Sequence, residues 1–454
     1  MKAIIVLMAL LFSASSYGQI NIKFLIKDFP DKKIDLLRIE TDQLILLDSA
    51  YSQKGIIQFV VPKGTPAGMY RIMLGQLPYQ QSPASLDILV YNEDIEMATV
   101  YPNLFDSLII TKSFENKLYM DFLKEEQTFN LQLELIQQTL DNYPKKDAYM
   151  KATKEKYNSL QREREQFISD IEKKHPNSLA ARIISRYKSP FMDADKTPEE
   201  RYETYVKNYF SGIDFTDTLL LNTTIYTDKL FRYIRLYMGQ RLSPTEQEKE
   251  FIKAVDIIIP AINHNTQVYS KLLEYMLKGF ESLKMETVLT HISTNYMAES
   301  CENENKTVLQ KRLEAYQKMA VGKHVPDISI TDVNGKEITL NNPNKNYTLL
   351  VFWASWCPHC VEMMPELFKY ATEIMGDKLN VITISIDTNK SDWEETVKSL
   401  VADNWKNTCD LKGWDGKTVH DYNIYATPTM FLINKDKEIL VKPITLYELK
   451  NYFK

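Results

Sequence analysis

Tyr347-Thr348-Leu349-Leu350-Val351-Phe352-Trp353-Ala354-Ser355-Trp356-Cys357-Pro358-His359-Cys360 decides how the C-terminal third of this 454-residue chain is read. The apolar run to Trp353 has the character of a buried strand, and a helix is expected after it. A Cys-x-x-Cys pair stands at the join. A thiol at the first turn of a helix faces unpaired backbone N–H groups and the positive end of the helix dipole. Both favour thiolate, the species that attacks disulfides. The stretch therefore places a reactive thiol where its reactivity is supported, with a second thiol within reach.

The chain begins Met1-Lys2, runs apolar from Ala3 to Phe12, and continues Ser13-Ala14-Ser15-Ser16-Tyr17-Gly18-Gln19. A positive start, a short apolar core and small residues at the end predict a signal peptide over 1–18, cleaved between Gly18 and Gln19. An uncleaved anchor is the alternative, but the run is short for a bilayer. The mature chain is expected to be exported, in the periplasm. A net charge of −5 gives no pointer to nucleic acid. The four cysteines are Cys301, Cys357, Cys360 and Cys409. A chain this long buries cores without bridges, so the close pair reads as catalytic rather than structural. Whether Cys301 and Cys409 pair is left open by their spacing.

Residues 19–112 read as a small antiparallel β-sandwich, with strands at Ile20–Phe24, Ile34–Ile39, Ile56–Val61, Tyr70–Leu74 and Leu86–Tyr91. Residues 113–320 read as all-α. Phe114, Leu118, Phe122, Leu131, Leu135 and Leu140 lie near a helical period, and the charged run Tyr157–Lys174 reads as a solvated helix face. Pro144, Pro176, Pro190, Pro198 and Pro260 are expected to separate helices, and Ser243-Pro244-Thr245-Glu246 to start one. Tyr202, Tyr205, Tyr209, Tyr226, Tyr233 and Tyr237 read as packing, with a protein-binding groove as the alternative. Residues 321–454 turn to α/β grammar. A hairpin is expected around Val333-Asn334-Gly335-Lys336, a buried strand over Leu379–Ile386, a helix near Asp392–Val401 and a terminal hairpin around Asn434–Lys437. Thr445-Leu446-Tyr447-Glu448 should cap a last short helix.

This last segment resembles the thioredoxin fold, in particular exported thiol–disulfide oxidoreductases of the TlpA/ResA type. The residues that carry the resemblance are Gly322-Lys323-His324-Val325-Pro326-Asp327, Trp353–Cys360, Pro365 and Ala426-Thr427-Pro428-Thr429. They cover under a third of the chain. The upstream parts look like accessory regions that precede such domains in some Gram-negative exported proteins, and the resemblance assigns them no role. It implies that Cys357 attacks and that Cys360 resolves the mixed disulfide, closing a Cys357–Cys360 bridge. Pro358 limits the backbone between them. His359, when protonated, lowers the Cys357 pKa further. Pro428 in the cis form brings Thr427 beside the sulfurs, where a substrate strand can pair with it. Trp356 and Trp353 shape an apolar rim. Protein thiols or disulfides are the implied substrates, a membrane-bound redox donor the implied partner, and no cofactor is implied beyond the cysteine pair. Oligomeric state stays unread.

Two positions depart from the pattern. Val351 stands where thioredoxin buries an acid, and Met363 where this group carries a glutamate on the active-site helix. Glu362 is one residue early, a rotation of about 100° on a helix. Water, Glu362 or Asp387 is left to take the Cys360 proton. The Pro-His dipeptide is shared with the oxidant DsbA, so the expected reduction potential lies between thioredoxin and DsbA, about −270 to −120 mV. A reductant role is the leading expectation, with an oxidant or isomerase beside it. A binding or assembly protein, recognising a partner through its upstream regions, is the other reading, and the missing acids favour it. A structural zinc site needs four ligands, and no second Cys-x-x-Cys or His pair has suitable spacing; Cys409 and His420 are only possible extra ligands, so no metal is expected.

Overall fold

Period-two alternation of apolar residues builds the N-terminal strands, and burial follows it: in β1 (Ile20–Lys27) every second residue faces the core. The computed structural model describes residues 19–76, 83–239, 241–296, 308–332, 335–340, 345–400, 405–443 and 445–453. The expected signal peptide, Cys301 and Val333-Asn334 of the expected turn lie outside them. Among the described residues two compact units form. One takes the residues up to 239 with Asp256–Tyr275, and the other takes Arg241–Val255 with those from Met276 onward.

In the first unit, β1 is followed by β2 (Lys33–Glu40), β3 (Gln43–Tyr51), β4 (Ile56–Val61), β5 (Gly68–Gly75), β6 (Ala84–Val90), β7 (Ile95–Val100) and β8 (Ile109–Lys112). They make two four-stranded sheets, ordered β4-β1-β7-β8 and β3-β2-β5-β6. Ile22, Phe24 and Phe59 from one sheet share an apolar core with Leu36, Tyr70 and Ile88 from the other. The pairing is not wholly antiparallel, as the sequence suggested: β1 runs parallel to β7. β3, β7 and β8 are additions to the five expected strands. β3 escapes the alternation rule because Leu44, Ile45 and Leu46 are apolar in succession and all exposed on an edge strand. At the β3–β4 turn, Gly55 has φ +77°, and a Cβ there would lie 2.1 Å from the Ile26 carbonyl oxygen.

The helices are α1 (Phe114–Asn142), α2 (Ala148–Lys174), α3 (Leu179–Ser185), α4 (Pro198–Asn208), α5 (Ile225–Arg235), α6 (Pro244–Ile262), α7 (Thr266–Ser282), α8 (Glu286–Asn295) and α9 (Val308–Lys318). The Asn116 side chain ties α1 to β6, accepting from Leu89 N–H at 2.8 Å and donating to its carbonyl at 2.7 Å. Ser243 and Glu246 cap α6 as the sequence indicated. Pro260 does not separate helices. It lies inside α6 two residues before its end, where its missing N–H removes one backbone bond from a helix already finishing. Tyr209, Tyr226 and Tyr233 are buried among aromatic rings, as packing requires, but Tyr202 is 50% exposed and is not part of that packing.

In the second unit, β9 (Ile330–Thr331) and β10 (Glu337–Ile338) form a short hairpin. There follow β11 (Tyr347–Trp353), α10 (Pro358–Lys369), β12 (Leu379–Ser385), α11 (Lys390–Ser399), β13 (Lys406–Cys409), α12 (Lys417–Asp421), β14 (Thr429–Asn434), β15 (Ile439–Val441) and α13 (Leu446–Tyr452). The sheet order is β13-β12-β11-β14-β15. β11 is parallel to β12 and antiparallel to β14. Every residue of β12, and all of β11 after Tyr347, is buried, which explains runs of apolar residues without alternation. Gly322 and Val325 hydrogen-bond to the backbone of Ile439 and Lys437, so the Gly322–Asp327 segment lies along β15. Among the described residues no helix is long and apolar enough to cross a membrane.

Candidate active site

The central strand β11 delivers the chain to the end of the sheet, and α10 starts there. Cys357 is the N-cap of α10, with extended backbone, and Pro358 is the first helical residue. Pro fits that position because its fixed φ suits a helix and its missing N–H has no partner to lose there. The Cys360 N–H donates to Cys357 Sγ at 3.3 Å. Cys357 and Cys360 form a disulfide with their Cα atoms 5.3 Å apart. Cys357 is 5% exposed and Cys360 fully buried, so Cys357 is the residue of the pair that reaches solvent.

On the other side of the pair lies the loop that enters β14. The Thr427–Pro428 bond is cis, and the Thr427 carbonyl oxygen is 3.7 Å from Cys357 Sγ. Cys357, Cys360, Thr427 and Pro428 are thus brought to one place from two segments about seventy residues apart in sequence. Pro358 and His359 are exposed on the first turn of α10. Trp356 is 56% exposed and Trp353 fully buried, so Trp353 packs beneath the site and does not form part of its rim.

The Ser355 N–H and hydroxyl both donate to Asp387, at 3.0 and 2.7 Å. Ser385 Oγ donates to the same carboxylate at 2.5 Å. Asp387 is 1% exposed and both its oxygens are taken by these donors. It fastens the residue two before Cys357. Val351 is buried in β11, Met363 packs against the domain core, and Glu362 is exposed. Cys409 is a buried free thiol, raised above the ordinary thiol pKa by burial, and its sulfur is 3.4 Å from the Asp387 carbonyl oxygen.

Two features escaped the sequence. Trp414 is 42% exposed, with its ring centroid 6.5 Å from that of Trp356, so the rim is an indole pair. Tyr425, two residues before Thr427, donates its hydroxyl to Glu286, which also pairs with Lys442. The only sequence signal for Trp414 is a tryptophan in a Gly-Trp-Asp-Gly turn, and nothing local points to Glu286. The geometry suits thiol exchange: one cysteine at a helix N-terminus, its partner one turn inside and fully buried, and a backbone carbonyl beside the first sulfur.

Residues 321–442 match the AhpC/TSA family. The thiol-disulfide oxidoreductase ResA of Bacillus anthracis is 30% identical over 146 residues, spanning 30% of this chain and 79% of that protein. The sporulation thiol-disulfide oxidoreductase A of Bacillus subtilis is 26% identical over 123 residues, 26% of this chain and 73% of that one. Among solved structures, a thiol-disulfide oxidoreductase from Bacteroides fragilis aligns over 29% of this chain and 97% of its own, with 28% identity and a TM-score of 0.27. A thioredoxin-like protein from Bacteroides caccae aligns over 57% and 94%, with 24% identity and a TM-score of 0.39. Through its C-terminal thioredoxin-like domain the chain belongs to the ResA/TlpA-type thiol–disulfide oxidoreductases.

Proposed function

We propose that this protein is exported and exchanges disulfides with protein substrates through Cys357 and Cys360, acting as a reductant. The observation that carries this reading is the placing of Cys357 Sγ, at the N-cap of α10 and 3.7 Å from the Thr427 carbonyl oxygen. In the reduced enzyme the Cys357 thiolate attacks a substrate disulfide. One substrate sulfur leaves as thiolate and a mixed disulfide forms. Cys360, after losing its proton, attacks Cys357 Sγ. The second substrate sulfur leaves, and the enzyme carries the Cys357–Cys360 disulfide. The first-turn N–H groups of α10 stabilise the Cys357 thiolate, the Cys360 N–H directly. His359 adds positive charge when protonated. The Thr427 backbone and the Trp356 rim hold the substrate segment, and Pro358 and Pro428 fix the backbone on either side. Water, Glu362 or Asp387 takes the Cys360 proton, Asp387 while already accepting three hydrogen bonds. A membrane-bound donor returns electrons to the pair, and residues 19–320 serve as accessory domains.

Insulin reduction, with a dithiol regenerating the enzyme, tests the reading. Wild type is expected to turn over and Cys357→Ser to be inactive; equal rates for the two would remove Cys357 from the reaction. Export is checked by sequencing the mature N-terminus, expected at Gln19.

A second reading places partner recognition upstream. It is favoured by a groove of about 910 Å³ among the helices of the first unit, lined by Tyr157, Phe191, Met192, Tyr202, Tyr205 and Arg162. In that reading the thioredoxin-like domain is secondary, and both insulin assays above are equally silent.

A further inference from the structure

The loop that faces Cys357 is held from outside the thioredoxin-like fold. Glu286 is the first residue of α8 and belongs to the same compact unit as the redox pair. Its carboxylate accepts from the Tyr425 hydroxyl and from the Lys442 ammonium, across 139 and 156 residues of sequence. The Glu286 side chain is only 18% exposed and that of Lys442 11%. Lys442 Nζ also sits 5.1 Å above the ring of Phe431, in the strand that the loop enters. The Tyr425 ring meets Tyr316 edge-on at 5.9 Å, and Tyr316 and Arg312 both bond Glu281. Burial and the Glu286 carboxylate hold the Tyr425 hydroxyl far above its ordinary pKa, so it remains a donor across the working range. Lys284 and Glu286 line one small pocket together with Ala426, Pro428 and Met430. Through Tyr425 and Glu286 the loop is tied to the start of α8.

We infer that Glu286 is a positioning residue for thiol–disulfide exchange: through Tyr425 it fixes where the Thr427 carbonyl stands against Cys357. This rests on the function proposed above. A carbonyl oxygen beside the sulfur favours thiol over thiolate, because it accepts from S–H and repels S⁻. It is also the group that a substrate strand would use. Releasing the loop should therefore act on both the acidity of Cys357 and the binding of protein substrates, and leave the bond-breaking chemistry alone.

The test uses the full mature chain with Glu286→Ala and Tyr425→Phe. Tyr425→Phe keeps the ring packing and the Glu286–Lys442 pair, so it reads the hydroxyl without unfolding the unit. In reduced enzyme, thiolate absorbance at 240 nm should show the Cys357 titration midpoint falling by about half a pH unit in both variants. KM for insulin should rise about fivefold, the weight of one substrate hydrogen bond, with kcat within twofold of wild type. Glu286→Asp should recover part of both effects. A midpoint and a KM unchanged in folded Tyr425→Phe and Glu286→Ala would overturn the inference, even if their melting temperatures fell. Should wild type itself fail to reduce insulin, the proposed function fails, and the titration midpoint still decides the positioning role.

Discussion

Asp387 holds Ser355 by two hydrogen bonds, one from its backbone N–H at 3.0 Å and one from its hydroxyl at 2.7 Å. Asp387 lies just past the end of β12, and Ser355 lies between β11 and α10. A carboxylate buried at 1% exposure is tolerable only because donors surround it, and Ser385 supplies the third. The pair sets the path of the chain into Trp356 and Cys357.

Asp387→Ala should leave two hydroxyls and a backbone N–H without their acceptor. Hydrogen bonds to charged groups contribute about 1.5–3 kcal/mol each, so a loss of at least about 3 kcal/mol is expected in chemical denaturation. Asp387→Asn retains part of the acceptor capacity and should cost less. If Asp387 were the proton acceptor for Cys360, the Asn variant would instead lose most of its turnover while keeping its stability.

The indole pair Trp356–Trp414 is exposed beside the disulfide, and exposed tryptophans are the side chains that gain most by covering a partner's apolar surface. Trp414→Ala should lower kcat/KM for insulin about fivefold, corresponding to roughly 1 kcal/mol of binding. Reduction of a small disulfide, such as oxidised glutathione, should change by less than twofold. Equal losses on both substrates would place Trp414 in the support of the site rather than in its recognition surface.

Lys229 gives the first unit a pH dependence of its own. The residue is 9% exposed, and its Nζ is 3.4 Å from the Lys188 carbonyl oxygen and 5.5 Å from the Tyr209 ring centroid. Burial, then Arg164 and Arg232, push its pKa down to about 8, against an attraction from Glu126. Below pH 8 both folded and unfolded chains carry the proton, and the fold bears the full cost of the buried ammonium. From pH 8 upward the folded state sheds the proton while the unfolded state keeps it to 10.5, so stability rises with pH. Buried tyrosines such as Tyr226, raised to about 12, pull the opposite way once unfolded tyrosine ionises near 10.0. The window is therefore pH 8 to 10. Lys229→Met should be more stable than wild type at pH 7, by up to roughly 3 kcal/mol, and the advantage should shrink across that window. An advantage constant with pH would mean that Lys229 is not charged in the fold at pH 7.

The local arrangement of the candidate site was legible in the sequence because its signals are local. Pro358 as the first helical residue, Cys357 as the cap and the buried run before them are all set within fifteen residues. The same holds for Ser243–Glu246 at α6 and for Thr445, which accepts from the Glu448 N–H at 3.3 Å at the start of α13. What failed to show depends on tertiary context. β3 puts Leu44–Leu46 in succession on an exposed edge, which imitates no strand pattern. The parallel pairing of β1 with β7 is fixed by strands some seventy residues apart. Glu286 and Tyr425 meet across 139 residues, so neither carries a motif. Asp387 was visible as an acid near the pair, but its task of holding Ser355 needed the geometry. Trp414 required the fold of the turn after β13 to bring it to Trp356.

The central claim is that Cys357 is the sulfur that meets substrate and Cys360 the one that releases it. Cys360→Ser, expressed in a cell that exports it, removes the release step and tests this most directly. Non-reducing gels with mass spectrometry should show the variant in mixed disulfides with other proteins, every linkage made through Cys357. The double variant Cys357→Ser/Cys360→Ser should show none. Mixed disulfides that persist in the double variant, or their absence from Cys360→Ser, would contradict the account.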